Sequence, residues 1–351
     1  MLPYKRSEAK DYARQHWRGV CNVIMPTFTA DFQKLNEKAI RHDVRRNIEL
    51  GFWGALLVSE CATSLDEYKR FMEIAVDEAK GRHHFLIQGV FDTPEQVLAM
   101  AKAGEAIGVS GILLGQPNSF YPKTEDELFG YLSGIAAKTD LAVCMFCTTQ
   151  MNFARFHTSG YPPGVIEKVA ALENVVAVKY EVGRPGVAGN LEIWKKLADK
   201  RVLLSDPLEA HSPMMIEMLG QQWMGTSNYE YWGGAVPQYF GLLLEARAVG
   251  ASDAHRASAL FDKAMEIYWR INPARQARVA IQGTFGGANF IHRYLWKYQG
   301  WLHGYNGGPM RQPVMKINDS QMRAVREPLQ RCGFDIKDED ATAFYRGRNP
   351  A

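Results

Sequence analysis

Short apolar runs alternate with amphipathic stretches along most of the chain. Gly19–Met25 reads as a first strand, ended by Pro26, and Leu35–Leu50 follows with Ile40, Val44 and Ile48 at helical spacing. Gly54–Val58 predicts a second strand, and a helix over 65–79 carries Phe71, Ile74 and Ala75 on one face. His84–Val90 is a third strand. Thr93-Pro94-Glu95 then opens a helix, with Thr93 as N-cap and Pro94 in the first turn, where its missing N–H costs nothing. Further strands over 111–114, 141–147, 175–180, 201–205 and 222–226 alternate with helices, the first capped by Thr124 and the rest over 165–172, 191–199 and 208–219.

Eight such βα units argue for a parallel sheet. No Gly-x-Gly-x-x-Gly follows the first strand, which favours a closed (β/α)8 TIM barrel over an open dinucleotide-binding sheet. Beyond residue 231 the strand signals stop, and 251–300 and 319–332 read as helices. The expected organisation is an N-terminal extension over 1–17, the barrel over 18–230 and a C-terminal helical extension over 231–351 packed on it.

Composition narrows the partners. The 351 residues are 46% hydrophobic and 23% charged, enough to build a packed core. Lys plus Arg is 41 against 38 Asp plus Glu, a formal charge of +3. That is too small for a phosphate-backbone partner, so no nucleic acid is expected, and it says nothing against a small anionic substrate. No apolar run approaches the roughly 18 residues of a membrane span. The first residues, MLPYKRSEAKDYARQHW, carry charge throughout and do not read as a secretory signal, so a cytoplasmic protein without membrane contact is expected. Cys21, Cys61, Cys144, Cys147 and Cys332 are too scattered for a disulfide framework. Cys144 and Cys147 form a C-x-x-C inside an apolar strand, where packing is a better reading than redox or metal chemistry. His83, His84 and His211 lack partners at ligand spacing, so no metal site is expected.

In a barrel of this type, reactive groups sit where strands end. Those positions are Thr27, Ser59-Glu60-Cys61, Gln116-Pro117, Phe146-Cys147-Thr148, Lys179, Asp206 and Thr226-Ser227-Asn228. Lys179 stands apart because it follows Val175-Val176-Ala177-Val178 and should point into the mouth. A lysine there loses hydration, which favours the neutral amine that attacks a carbonyl. The competing reading is a lysine that reaches solvent or pairs with Glu60 or Glu181. Asp206, before Pro207, reads as the cap of the following helix. Arg155 and Arg184 are candidates for a substrate carboxylate, since guanidinium pairs bidentately, with a solvated surface role as the alternative.

Several segments, in order, resemble the dihydrodipicolinate synthase / N-acetylneuraminate lyase superfamily of class I aldolases. Gly19-Val20 through Pro26-Thr27-Phe28 is similar to the family's G-V-x-x-x-x-x-T-P-F, and Gly51-Phe52-Trp53-Gly54 to its G-V-x-G. Gly115 to Pro122 resembles P-Y-Y-x-x-P, and Asn174 to Lys179 resembles N-I-V-G-I-K, whose Lys forms the imine. Gly225-Thr226-Ser227-Asn228 with Pro237 resembles S-x-x-A-N-x-x-P, and Gly307 to Pro313 resembles G-G-x-x-R-x-P.

The resemblance implies a Schiff-base lyase or aldolase acting on a pyruvate-type 2-oxo acid, with Lys179 as nucleophile. It also implies no cofactor beyond the covalent imine, and a homotetramer with Tyr121 near a subunit interface. Two departures stand out. The family's G-T-T-G-E after strand 2 is replaced by Val58-Ser59-Glu60-Cys61-Ala62-Thr63-Ser64, and the tyrosine of its Y-N-x-P after strand 5 by Phe146. Phe cannot move a proton, which leaves Tyr121, Tyr180, Glu60 and Glu181 as substitutes. Met151 to Phe156, together with Trp223, Tyr229, Tyr231 and Trp232, resembles the hydratase-aldolases of aromatic substrates. The alternative is that these rings make a helix-to-barrel or subunit contact. Catalytic candidates are thus Lys179, Tyr121 and Glu60, and substrate-binding candidates are Ser59, Cys61, Phe146, Trp223, Thr226 and Asn228. A lysine-imine decarboxylase, dehydratase or hydrolase, and a degenerate barrel with a binding role, stay open beside the aldolase.

Overall fold

A computed structural model describes residues 2–117, 119–181, 187–286 (backbone alone for 282–286), 293–312, 314, 316–336 and 339–351. Arg184 and Pro313, named above, and Asn118, within the segment Gly115 to Pro122, lie outside the described residues. Eight parallel strands form the barrel: β1 Gly19–Ile24, β2 Gly54–Leu57, β3 His84–Gly89, β4 Gly111–Leu114, β5 Ala142–Thr148, β6 Val175–Glu181, β7 Leu203–Ser205 and β8 Trp223–Met224. Neighbouring strands pair in the order β7-β6-β5-β4-β3-β2-β1-β8. The fold is therefore the (β/α)8 barrel that the alternating pattern predicts.

The barrel helices are α2 Glu37–Glu49, α3 Leu65–Ala79, α4 Pro94–Ile107, α5 Glu125–Ala136, α6 Pro163–Ala170, α7 Val187–Leu197 and α8 Ser212–Leu219, preceded by α1 Ala9–His16. Their starts follow the sequence: Ser64, Thr93 and Thr124 each accept a hydrogen bond from the third residue of the helix they cap. An eighth barrel helix, α9 Ala235–Val249, packs on α8 and β1. It falls outside the 18–230 boundary read from the pattern, because α9 is apolar on most sides and gives little helical contrast. The expected helix over 251–300 is divided into α10 Ala254–Arg270, α11 Asn272–Gly286 and α12 Arg293–Trp301. Helices α13 Asp319–Arg331 and α14 Ala341–Arg346 follow. No helix among the described residues is long and apolar enough to cross a membrane.

The N-terminal extension closes the bottom of the barrel. Trp17, just after α1, is fully buried with its ring centroid 5.0 Å from Trp223 and 5.4 Å from Trp53. Gly111 makes room for it, since a Cβ there would lie 3.1 Å from the Trp17 ring and 2.5 Å from the Ala142 carbonyl. Apolar burial at the closed end leaves the opposite end, where strands finish, for chemistry.

Asn174 fixes where β6 begins. Its fully buried amide donates to the carbonyls of Ala136, Thr139 and Leu141 at 3.0–3.1 Å. Asn174→Ala strips buried carbonyls of a donor, and the expected cost is about 3 kcal/mol, read as a lowered urea midpoint with unchanged slope.

Candidate active site

Lys179 is aimed inward by an irregularity in its own strand. Val143 of β5 pairs with Val175, but the next residue, Cys144, pairs with Ala177, so Val176 is an extra residue on β6. Such a bulge changes which alternate positions face the core. Beyond it, Phe146, Lys179 and Ser205 are neighbours across β5, β6 and β7, and Thr148 pairs with Glu181. Lys179 is 4% exposed. Its Nζ donates to the Thr226 carbonyl at 2.8 Å, lies 3.0 Å from Glu181 Oε2 and sits 4.4 Å from the Phe146 ring centroid.

The Thr226 carbonyl can accept because the β7–β8 seam is not zipped by a backbone ladder. A side chain bridges the seam instead: Ser205 Oγ donates to the Gly225 carbonyl at 3.1 Å and lies 3.0 Å from the Gly225 amide. Lys179 thus has an acid two residues along its own strand, both side chains alternating to the same face.

The other candidates distribute around this centre. The Ser59 amide donates to Gln88 Oε1 at 2.9 Å and its hydroxyl to the Val90 carbonyl at 3.3 Å, tying β2 to β3. Glu60 does not face Lys179; it is ion-paired with Arg293 of α12. Cys61 is fully buried, and burial pushes its thiol up to about 12, so it acts as packing. Asn228 is held by Gln299 of α12, whose Oε1 accepts from it at 2.6 Å, and by Arg278 of α11, which donates to its Oδ1.

Five expectations are corrected. Trp223 is not at the mouth: it starts β8, pairs with Gly19, and its ring fills the lower barrel where a Cβ on Gly225 would stand. Tyr121 is 66% exposed on the loop after β4, with the Arg155 guanidinium 3.9 Å from its ring centroid. Arg155 is spent on that loop, donating to the Asn152 and Pro122 carbonyls. Tyr180 points outward, against Gly189 of α7. Asp206 closes the turn after β7 and does not cap the helix as expected: it accepts from the Leu208 amide at 2.8 Å, and also from Asn190 and His211, each at 2.7 Å, whereas α8 starts at Ser212 without a side-chain cap. Cys144 faces the barrel interior and Cys147 the surrounding helices, so the C-x-x-C pair is split between two faces.

A profile of the Dihydrodipicolinate synthetase family matches residues 16–264. The chain belongs to the dihydrodipicolinate synthetase family. A 4-hydroxy-tetrahydrodipicolinate synthase of Methanopyrus kandleri is 29% identical over 133 residues, 36% of this chain and 44% of that one. An N-acetylneuraminate lyase of Clostridium perfringens is 30% identical over 129 residues, 35% of this chain and 44% of that one. The chain thus spans less than half the length of these two relatives. Among solved structures, N-acetylneuraminate lyase from Fusobacterium nucleatum superposes with a TM-score of 0.69 at 20% identity, covering 90% of this chain and 98% of that one. The same lyase has been solved complexed with pyruvate, at a TM-score of 0.66 to this chain.

Within the dihydrodipicolinate synthetase family pattern, Arg311 of the G-G-x-x-R-x-P segment is a clamp. It pairs with Glu67 at 2.7 Å and stacks 3.9 Å over Phe28. What the family pattern could not supply is the lid of cations. Arg278, Arg293 and Lys297 are all buried, on α11 and α12, against the ends of β8, β2 and β1. A signal for two of them was present: α12 carries Arg293 and Lys297 one turn apart among Tyr294, Leu295, Tyr298 and Trp301, with no acid.

Glu230, in the turn after β8, is buried with one oxygen unpartnered, and burial pushes it up to about 8 despite the nearby Arg278 and Asn22; Asp43 acts in the same upward direction. The folded protein holds this proton until about pH 8, whereas the unfolded chain releases it near the ordinary 4.5. Between those values the unfolded state binds fewer protons, so stability falls as pH rises. Glu230→Gln is expected to flatten that fall, measured as the urea midpoint against pH.

Proposed function

We propose that this protein is a Schiff-base lyase or aldolase acting on a 2-oxo acid, with Lys179 as nucleophile and Glu181 as the proton-transfer group. The observation that carries the reading is a lysine 4% exposed at the end of β6 with a carboxylate 3.0 Å from its Nζ. Glu181 takes a proton from the Lys179 ammonium, and the freed amine adds to the keto carbon. The same acid returns the proton to the departing oxygen, water leaves, and the protonated imine serves as the electron sink for making or breaking the adjacent C–C bond. The imine supplies the electrophile, so no separate organic cofactor or metal has a role in these steps. Thr226 fixes the amine through its carbonyl, and Phe146 keeps water from one face.

Glu181 takes the place of the proton carrier lost with Phe146. Tyr121, Tyr180 and Glu60 are each committed elsewhere. The rings that suggested an aromatic substrate support the packing alternative. Trp232 and Tyr231 lie 4.8 and 5.7 Å from the Arg278 guanidinium, and Phe153 packs on Tyr161 and Phe156. We therefore favour a compact aliphatic substrate over the aromatic one. The proposed assembly is a cytoplasmic homotetramer with the exposed Tyr121 at a contact; light scattering giving a monomer would overturn it. The test of the chemistry is borohydride reduction with pyruvate, followed by mass mapping. A reduced adduct on Lys179 is expected, and its absence across a panel of 2-oxo acids rejects the mechanism.

A further inference from the structure

Arg278 is a buried guanidinium with no carboxylate at ion-pair distance among the described residues. Its described hydrogen bond goes to the neutral Asn228 side chain, and its Nε has no partner. The nearby acids are otherwise engaged or neutral. Glu209 pairs with Arg275 at 2.6 Å and accepts from Tyr239 at 2.6 Å, and Glu230 is held protonated by burial up to about 8. Buried charges are ordinarily paired, because an isolated one forfeits its hydration.

Two further buried donors on this side of the mouth have no hydrogen-bond partner among the described residues. Gln299 uses its Oε1 to accept from Asn228, which leaves its buried Nε2 unpartnered, and the buried Thr226 hydroxyl also lacks a partner. Arg278 and Gln299 meet at Asn228, and Thr226, whose carbonyl holds Lys179 Nζ, stands two residues before it in the chain. Two residues of chain span at most about 7 Å, so the Lys179 and Asn228 sides of the mouth are within reach of one short-chain substrate. A carboxylate is acceptor-only, and a guanidinium with neutral donors is its complement.

We propose that Arg278, Gln299 and Thr226 receive a second carboxylate of the substrate, so that the preferred substrates are 2-oxo diacids. This rests on the imine at Lys179. The keto carbon is anchored by Lys179 on β6, and the distal acid group reaches the β8 side of the mouth under α11 and α12. Arg293 stands apart from this receptor, since Glu60 already balances it.

The test compares acids of equal length, 2-oxoglutarate and 2-oxopentanoate, by borohydride trapping on the intact chain. The diacid is expected to half-saturate Lys179 at a concentration at least about tenfold lower. Arg278→Gln is expected to erase that ratio, and Arg278→Lys to keep part of it because the charge remains. Since Arg278→Gln could fail to fold, the wild-type ratio is the primary readout. A second readout is the thermal shift of the wild type, which glutarate should raise and pentanoate should not. Equal half-saturation by the two acids overturns the receptor while leaving the imine standing. A ratio that survives in folded Arg278→Gln overturns Arg278 as the receptor, as would equal loss for both acids. No adduct from either acid removes the imine and the receptor with it.

Discussion

Lys179→Arg is expected to abolish the borohydride-stable adduct with pyruvate and to lower turnover by about 10³-fold or more. Arginine keeps the positive charge, a donor for the Thr226 carbonyl and an ion pair for Glu181, so the loss reports chemistry and not a collapsed mouth. A guanidinium has no free amine to add to a ketone at neutral pH. The informative control is the second buried lysine. Burial pushes Lys297 down to about 8, which on its own favours its free, nucleophilic amine. Its Nζ, however, donates to Thr27 Oγ1 at 2.6 Å and to the Pro26 carbonyl at 3.1 Å, and no carboxylate stands within ion-pair reach among the described residues. Asp43 acts on it only at longer range, so no described carboxylate is placed to take its proton as it attacks. Peptide mapping should place the adduct on Lys179, and Lys297→Met should retain it. An adduct on Lys297 would transfer the nucleophile's role to α12.

The division between what the chain announces and what it conceals follows from locality. The strands and most barrel helices are readable because each is one apolar stretch with its own cap, as at Ser64, Thr93 and Thr124. Lys179 is readable for the same reason: four apolar residues lead to it, and strand ends are where this fold works. Its inward aim was right for a reason the sequence does not display, since the bulge at Val176 sets the parity. Glu60 was misplaced because a sequence gives neighbours along the chain, whereas its partner Arg293 is far along it. Trp223 does not reach the mouth because it opens the two-residue strand β8 beside Gly19, with its ring against Trp17 at the closed end, a position the apolar run does not show. The cations of α11 and α12 gain their meaning from docking on three separate strand ends, a tertiary fact without a local pattern.

Glu181→Gln is expected to lower turnover by about 10²–10⁴-fold while the pyruvate adduct on Lys179 still forms, more slowly. Gln fills the same volume and can still lie beside Nζ, but it neither accepts the ammonium proton nor returns one to the leaving oxygen. Imine formation can draw on water for its proton transfers, because the Glu181 side chain is 38% exposed. The steps at the substrate carbon need a group positioned inside the mouth, and with Phe146 in the tyrosine position Glu181 is the carboxylate already at 3.0 Å from the amine. The two phases therefore separate in one variant: trapped adduct measured by mass, and product formation measured in a single turnover. Glu181→Ala opens space for a small acid, and added formate should restore part of its rate. If Glu181→Gln turns over within a few-fold of the wild type, the proton passes through another group. Tyr229, whose hydroxyl donates to the Pro207 carbonyl at 2.8 Å and whose pKa is raised by burial and then by the nearby Glu181 charge, would be the next residue to replace.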